Sequence, residues 1–394
     1  MRFLICSFSF VTIAVAVLLF ASTGWAQNTV NLPNIRNALS QHAKMNEFPN
    51  HLDLPKYGQV KVNYTFDIGL HNHIASIYRS YKPDYAAFVA IDPETGKILS
   101  LTSYVKDPSY EKNFSLGSNY PAASLFKIVS AAAAIDSDLI STKTILPFNG
   151  KSTTLYKSQV LRHKDNKYTR RLPFSEAFAR SSNPVFGRLG IEYLSDDLLF
   201  EYAHKMGFGV DLSQDLPVGS SQLDMSLSDD WQLAEASSGF TKDIHISPIH
   251  AAAIAAAVVN GGTLYKPYVV ESITSNSGDI LLKGNSKAVN RMFSRETSQA
   301  LKEMMRKTTQ IGSARESFSS HKRYKAFRGA DFGGKTGSLS GFYPEGRYGW
   351  FAGFGERNGK QIAYASLVVY KEKWVVRAAR VAFEVLNYVF KQPA

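Results

Sequence analysis

The sequence predicts an α/β (α+β) fold in which one antiparallel sheet combines an early hairpin with the last strands of the chain. Helices flank that sheet, and a mostly helical stretch is inserted between its two halves. Three observations carry this expectation. Residues 85–91 and 97–104 are apolar runs joined by Asp92-Pro-Glu-Thr-Gly96, a turn signal. Residues 348–355 and 361–370 flank Arg357-Asn-Gly-Lys360, and Asn-Gly between apolar runs marks a hairpin. Between the hairpins lie two Ala-rich apolar stretches, 121–135 and 248–260, which read as buried helices. Strands distant in sequence that share one sheet share one core, which implies a single large domain.

The elements follow in order. Residues 27–61 are polar and Asn-rich, with Pro33, Pro49 and Pro55, and read as a linker with one or two short elements. Residues 67–81 read as a helix with Ile68, Ile74, Ile77 and Tyr78 on one side. In the first hairpin the proline after Asp92 presets φ, and Gly96 accepts the left-handed conformation. Residues 174–189 and 196–206 are predicted helices. The helix over 248–260 is stopped by Gly261-Gly262. Residues 294–309 are amphipathic, and a last amphipathic helix runs from about Trp374 to Phe390.

The chain has 394 residues, 44% of them apolar, enough for a sizeable core and too many for a mostly disordered chain. Lys and Arg outnumber Asp and Glu by 45 to 33, a net +12 that favours anionic surroundings without choosing among them. Cys6 is the single cysteine, which excludes a disulfide scaffold, a thiolate zinc site and a cysteine nucleophile in the body.

Arg2 precedes eighteen uncharged residues, 3–20, followed by Gly24 and Ala26. This reads as a secretory signal cut after Ala26, or as an uncleaved anchor to the cytoplasmic membrane. Either way the body is expected outside that membrane, exported and periplasmic or extracytoplasmic. The residues before Cys6 lack the small side chain of a lipoprotein site. Export and the absence of nucleic-acid-binding signatures argue against a nucleic-acid partner. The basic segments 162–171 and 321–328 read as solvated loops, with contact to anionic envelope material as the other reading. The nine histidines include one close pair, His71-Asn-His73, and no HExxH, so no metal site is expected.

Three short patterns carry chemistry. The first is Ser124-Leu-Phe-Lys127. Ser103, Ser109 and Ser319 also have a lysine three residues on, but only Ser124 opens an Ala-rich apolar helix. Spacing i, i+3 puts serine and lysine on one helical face. Unpaired N–H groups at the helix start stabilise an oxyanion there. An N-capping serine with a solvent-facing lysine is the bland alternative, but Lys127 lies among Leu125, Phe126, Ile128 and Val129. The second pattern, Arg180-Ser-Ser-Asn183-Pro, puts a hydroxyl and an amide two residues apart in a loop between helices, although a helix-terminal turn would also suit it. The third, Gly333-Gly-Lys335-Thr-Gly-Ser338, lets a ligand approach a strand edge closely; a bulged edge strand is its structural counterpart.

Together, S-x-x-K, S-x-N and K-T-G occur at intervals of 57 (124 to 181) and 154 (181 to 335) residues, a set known in penicillin-binding proteins and class A β-lactamases. The chain resembles the penicillin-binding protein transpeptidase domain from about residue 62 to 390, in order. The segment opening Val62-Asn-Tyr-Thr, the hairpin around Asp92, Ser247-Pro-Ile-His and Val259-Asn-Gly-Gly carry the resemblance beyond the motifs. It implies a β-lactamase/transpeptidase-like fold, with residues 1–26 as signal or anchor, 27–61 as linker and 62–394 as transpeptidase domain.

The resemblance also implies roles. Ser124 would be acylated by a D-Ala-D-Ala stem peptide of peptidoglycan and pass the acyl group to a neighbouring stem amine. Lys127 would be its base, kept neutral by Lys335 nearby. Ser181 would relay a proton to the leaving amine, and Asn183 would anchor the substrate amide. Lys335, Thr336 and Ser338 would hold the terminal carboxylate beside Gly337. The N–H groups of Ser124 and Ser338 would form the oxyanion hole. β-Lactams would bind covalently, and no metal or organic cofactor is implied. Ala123 stands where the family commonly has glycine, Ser338 where it often has threonine, and Ser237-Ser-Gly239 where Gly-Gln-Gly is common. A D,D-carboxypeptidase, endopeptidase or β-lactamase on the same acyl-serine chemistry is the alternative, and a non-enzymatic β-lactam-binding or scaffold protein the second.

Overall fold

The computed structural model describes residues 30–110 and 113–392. The expected signal or anchor over 1–26, with Cys6, lies outside the described residues. No helix among them is long and apolar enough to cross a membrane.

The segment expected to be a linker is instead built into the body. Helix α1 (Leu32–Lys44) is capped by Asn31, whose side chain accepts from the Asn34 N–H, and it buries Ile35, Leu39 and Ala43. Strands β1 (His51–Leu54) and β2 (Gly58–Tyr64) form a hairpin with alternating burial. The boundary expected at residue 62 therefore falls inside β2. The apolar stripe of α1 is one narrow row, Ile35, Leu39 and Ala43 at i, i+4 and i+8, so the segment reads as polar in composition.

Helix α2 (Ile68–Tyr81) is capped by Asp67 and buries Leu70, Ile74, Ile77 and Tyr78. Ile68, expected on that face, is exposed in the first turn. Strands β3 (Tyr85–Ile91) and β4 (Ile98–Val105) form the predicted first hairpin. The apolar stretch after Pro121 divides into a 3-10 turn, Ala123–Leu125, and helix α3 (Lys127–Asp136). The helix expected over 174–189 is two: α4 (Phe174–Ala179) and α5 (Asn183–Tyr193). Pro184 suits the first turn of α5, so the chain reverses just before it.

Helix α6 (Asp230–Ser238) precedes α7 (Pro248–Val259), which is almost wholly buried and capped by Ser247. Strands β5 (Val270–Thr274) and β6 (Ile280–Lys283) then complete a sheet of order β1-β2-β5-β6. Buried Asp215 accepts from the N–H groups of Val269 and Val270 where that sheet meets the body. Helix α8 (Arg295–Gln310) leads to β7 (Asp331–Phe342), β8 (Glu345–Arg357) and β9 (Lys360–Tyr370), and α9 (Ala378–Val389) closes the described chain.

The central antiparallel sheet has the order β7-β8-β9-β3-β4, joining the early hairpin to the last strands as predicted. Along β3, Ala87, Val89 and Ile91 enter one core, with α7, while Ala86, Phe88 and Ala90 enter the other, with α2 and α9. Burial on both faces explains why β3 reads as a continuous apolar run. Strand β7 lies at the edge of the sheet and pairs with β8 in unbroken register, so it is an edge strand without the bulge considered above.

Candidate active site

Ser124 sits in the 3-10 turn ahead of α3, and Lys127 opens the helix proper. Lys127 is fully buried. Its Nζ stands 2.8 Å from Ser124 Oγ and 2.8 Å from Asn183 Oδ1, and it donates to the Ser238 carbonyl. The Asn183 amide is oriented by its Nδ2, which donates to the Thr153 carbonyl at 3.0 Å. Asn183 and Ser238 therefore offer only acceptors to Lys127. A neutral lysine amine has two N–H donors and one lone pair. In that neutral form, with both donors engaged by Asn183 and Ser238, the lone pair would be left for Ser124 Oγ, the one of the three partners that carries a proton to give.

The electrostatics favour that neutral form. Burial, and then the Lys335 ammonium, hold Lys127 well below the usual lysine range. Burial lowers Lys335 itself to about 7. An incoming carboxylate restores its charged form.

Lys335 reaches from β7 to Ser181, with Nζ to Oγ 2.8 Å, and also donates to the Thr336 carbonyl at 2.9 Å. Ser181 is held in the left-handed region, φ 56°, in the reversal between α4 and α5. Side chains alternate along β7, so Lys335 and Gly337 face the Ser124 turn, whereas Thr336 and Ser338 face the other side. A Cβ on Gly337 would meet Leu125 Cγ at 3.4 Å, so glycine lets the strand edge close on the turn. Thr336 Oγ1 lies 2.5 Å from Ser313 Oγ, and Ser338 is exposed.

The other serine–lysine patterns are spent on structure where they are described. Ser103 Oγ accepts from the Phe114 N–H, Ser109 bonds to Asp107, and Ser319 donates to the Glu316 carbonyl. Sequence reasoning missed the carbonyls of Thr153 and Ser238, and Ser313. A backbone carbonyl has no side-chain signature, and Ser313 belongs to no motif. Among the described residues no cluster of His, Cys, Asp or Glu could hold a metal.

This geometry can do acyl transfer: a hydroxyl beside an amine lone pair, a second hydroxyl on a buried lysine, and a strand edge between them. The family described as "Penicillin binding protein transpeptidase domain" matches residues 86–386. Stage V sporulation protein D of Bacillus subtilis is 29% identical over 269 residues, 66% of this chain and 40% of that protein. Peptidoglycan D,D-transpeptidase PbpA of Mycobacterium tuberculosis is 30% identical over 228 residues, 49% of this chain and 44% of that one. The chain thus spans less than half the length of these two relatives. In fold it is similar to the D,D-transpeptidase domain of a peptidoglycan glycosyltransferase from Eggerthella lenta, with TM-score 0.69, 21% identity and 86% and 84% of the two chains covered. It is likewise similar to penicillin-binding protein A of M. tuberculosis as its penicillin G acyl-enzyme, with TM-score 0.66, 23% identity and 84% and 81% covered.

Proposed function

From the premise that the chain belongs to the penicillin-binding protein transpeptidase family, we propose that it is a peptidoglycan D,D-transpeptidase with Ser124 as nucleophile. One observation carries the reading: among the described residues hydrogen-bonded to Lys127 Nζ, Ser124 supplies the one hydroxyl, at 2.8 Å.

In the first step Ser124 gives its proton to Lys127 Nζ while Oγ bonds the penultimate D-Ala carbonyl carbon of a stem peptide. The N–H groups of Ser124 and Ser338 stabilise the oxyanion. The carbon–nitrogen bond then breaks, and Ser181 passes a proton to the departing D-Ala amine. Asn183 anchors the substrate amide, and Lys335, Thr336 and Ser338 hold the terminal carboxylate beside Gly337. A neighbouring stem amine then attacks the acyl carbon and gives up a proton to Ser181, the ester C–O bond breaks, and Lys127 Nζ returns its proton to Ser124 Oγ. β-Lactams take the same path to the first adduct. The body of the protein works outside the cytoplasmic membrane, with the N-terminal segment as signal or anchor.

Intact-protein mass after mixing the chain with a fluorescent penicillin tests the reading. A stable one-to-one adduct is expected, lost in Ser124→Ala and kept in Ser109→Ala. Labelling that survives Ser124→Ala refutes the assignment. Lys127→Ala is expected to slow acylation about a hundredfold or more, as for loss of a general base, with the fold intact by circular dichroism. An adduct that forms and vanishes as the drug is consumed would point to a β-lactamase instead.

A further inference from the structure

Part of the active-site wall belongs to a basic excursion of the chain. It runs over residues 149–169, between the paired strands Ile145–Phe148 and Arg170–Pro173. Its first residues hold the second motif. The Ser152 carbonyl accepts from the Asn183 N–H at 2.7 Å, and the Thr153 carbonyl accepts from Asn183 Nδ2 at 3.0 Å. Leu155 and Val160 pack with Ala234 of α6. Leu155 also lies over Gly187 of α5, where a Cβ would meet it at 2.9 Å. The excursion is thus fixed to the helix that begins at Asn183 and to the helix that ends at Ser238. Its other end, residues 162–171, has no part in the mechanism above.

That end carries five exposed cations, Arg162, Lys164, Lys167, Arg170 and Arg171, against one acid, Asp165. Asp165 is already engaged, by His163 at 3.0 Å and by Arg171. Arg170 donates to the Gly150 carbonyl. Arg162, Lys164 and Lys167 make no ion pair among the described residues. The turn that bears them is built rather than loose. Asn149 Nδ2 donates to the Lys164 carbonyl at 3.1 Å, and Asn149 Oδ1 accepts from Thr169 Oγ1 at 2.9 Å. Within the turn the Tyr168 N–H donates to Asn166 Oδ1 at 2.8 Å. Like charges gathered on one turn repel, and an anionic chain laid across them relieves that repulsion.

We propose that residues 162–171 are a docking surface for the acceptor strand of peptidoglycan, held by the free carboxylates of its stem peptides. The proposal rests on the reading of the chain as a transpeptidase. The donor stem fills the edge of β7, so the acceptor reaches the acyl carbon from the side of Ser181, which takes the proton of its amine. Ser181 stands in the reversal between α4 and α5, and the excursion is packed on α5. Each uncross-linked stem ends in a carboxylate, and one strand presents many. A single exposed charge pair is weak, so the hold comes from several engaged together. A lipid headgroup offers the same charge, but the N-terminal segment joins the body at β6, where the Val30 N–H donates to the Leu281 carbonyl at 3.3 Å.

The test uses the full chain with Ser124 first acylated by penicillin, so that the donor site is filled. Binding of fluorescent, uncross-linked peptidoglycan strands is then followed by anisotropy. Affinity should fall as salt rises from about 0.05 to 0.3 M, and at least about tenfold when the strand's carboxyls are amidated. The triple variant Arg162→Gln, Lys164→Gln, Lys167→Gln should lose as much, with no further loss on amidation. Its penicillin adduct should form at the wild-type rate. Without penicillin, its transfer to a free D-amino acid should also stay at the wild-type rate, while strand-to-strand cross-linking slows. Wild-type strand affinity in the triple variant, or equal binding of native and amidated strands, overturns the docking surface. So does a triple variant that loses binding to phosphatidylglycerol vesicles and keeps binding to strands, which would assign the turn to a membrane. A wild-type chain that penicillin does not acylate at Ser124 refutes the functional reading itself, before any strand is added, which separates the two failures.

Discussion

At the scale of the residue, the site turns on how one ammonium group is stripped of its proton. Lys127 has three partners, and two of them can only accept. Its proton affinity is lowered first by burial and then by the charge of Lys335. The sign of the second effect gives a prediction. With Lys127 as the proposed base, acylation needs its neutral form, so the rate is expected to rise with pH through that group's titration. Removing the Lys335 charge removes a repulsion that had favoured neutral Lys127 and raises its pKa. In Lys335→Gln the acid limb of the acylation rate, followed with a β-lactam between pH 5 and 10, should therefore move to higher pH. The maximal rate should fall as well, because Ser181 loses its partner. An acid limb that stays in place or moves down would show that Lys335 does not tune Lys127.

At the scale of the element, the site is held by backbone that its residues resist. Ala123 has φ 49° and Ser181 φ 56°, in the left-handed region that costs a side-chain-bearing residue about 1–2 kcal/mol. These positions aim the two hydroxyls, so the strain lies where the fold must turn sharply. Glycine at 123 relieves the first while costing some unfolded-chain entropy. Ala123→Gly is accordingly expected to raise unfolding free energy by up to about 1 kcal/mol and to keep penicillin labelling. Gly239 ends α6 at φ 61°, and a Cβ there would lie 2.0 Å from the Ala123 carbonyl oxygen. Gly239→Ala must displace the turn carrying Ser124 or the wall carrying the Ser238 carbonyl. A loss of about 2 kcal/mol or more and slower labelling should follow, read by denaturant titration and by adduct mass. Wild-type stability and labelling in Gly239→Ala would mean that the turn and the wall are not packed as described.

At the scale of the molecule, the described N-terminal residues belong to the same body as the site. Leu52, Leu54, Val60, Ile35 and Leu39 are all 4% exposed or less. Full burial of one such side chain contributes about 1.5–3 kcal/mol, against a whole-domain stability of about 5–15 kcal/mol. A chain beginning at Val62 loses these contacts, the whole of β1 and the first half of β2, and keeps only Val62, Asn63 and Tyr64 to pair with β5. It should fail to fold or melt far below a chain beginning at Val30, and melting within a few degrees would return residues 30–61 to the status of a linker.

How much of this was legible follows from the range of the interactions involved. Local order was written in the sequence: β3 and β4 around Asp92, β8 and β9 around Asn358-Gly359, and the Ala-rich helix α7. So was the order of the three motifs, because turn chemistry and side-chain period act over a few residues. The single helix expected over 174–189 breaks at Ser181, where Ser-Ser-Asn-Pro is itself a turn signal; the helical period on both sides outweighed it. Tertiary structure alone decided that Lys127 is sealed from water, that Ser238 turns its carbonyl toward it, and that β2 finds β5. It alone brought Ser313 to the strand edge. Desolvation and long-range pairing are properties of the volume a residue occupies, which the chain defines only once its distant parts have met.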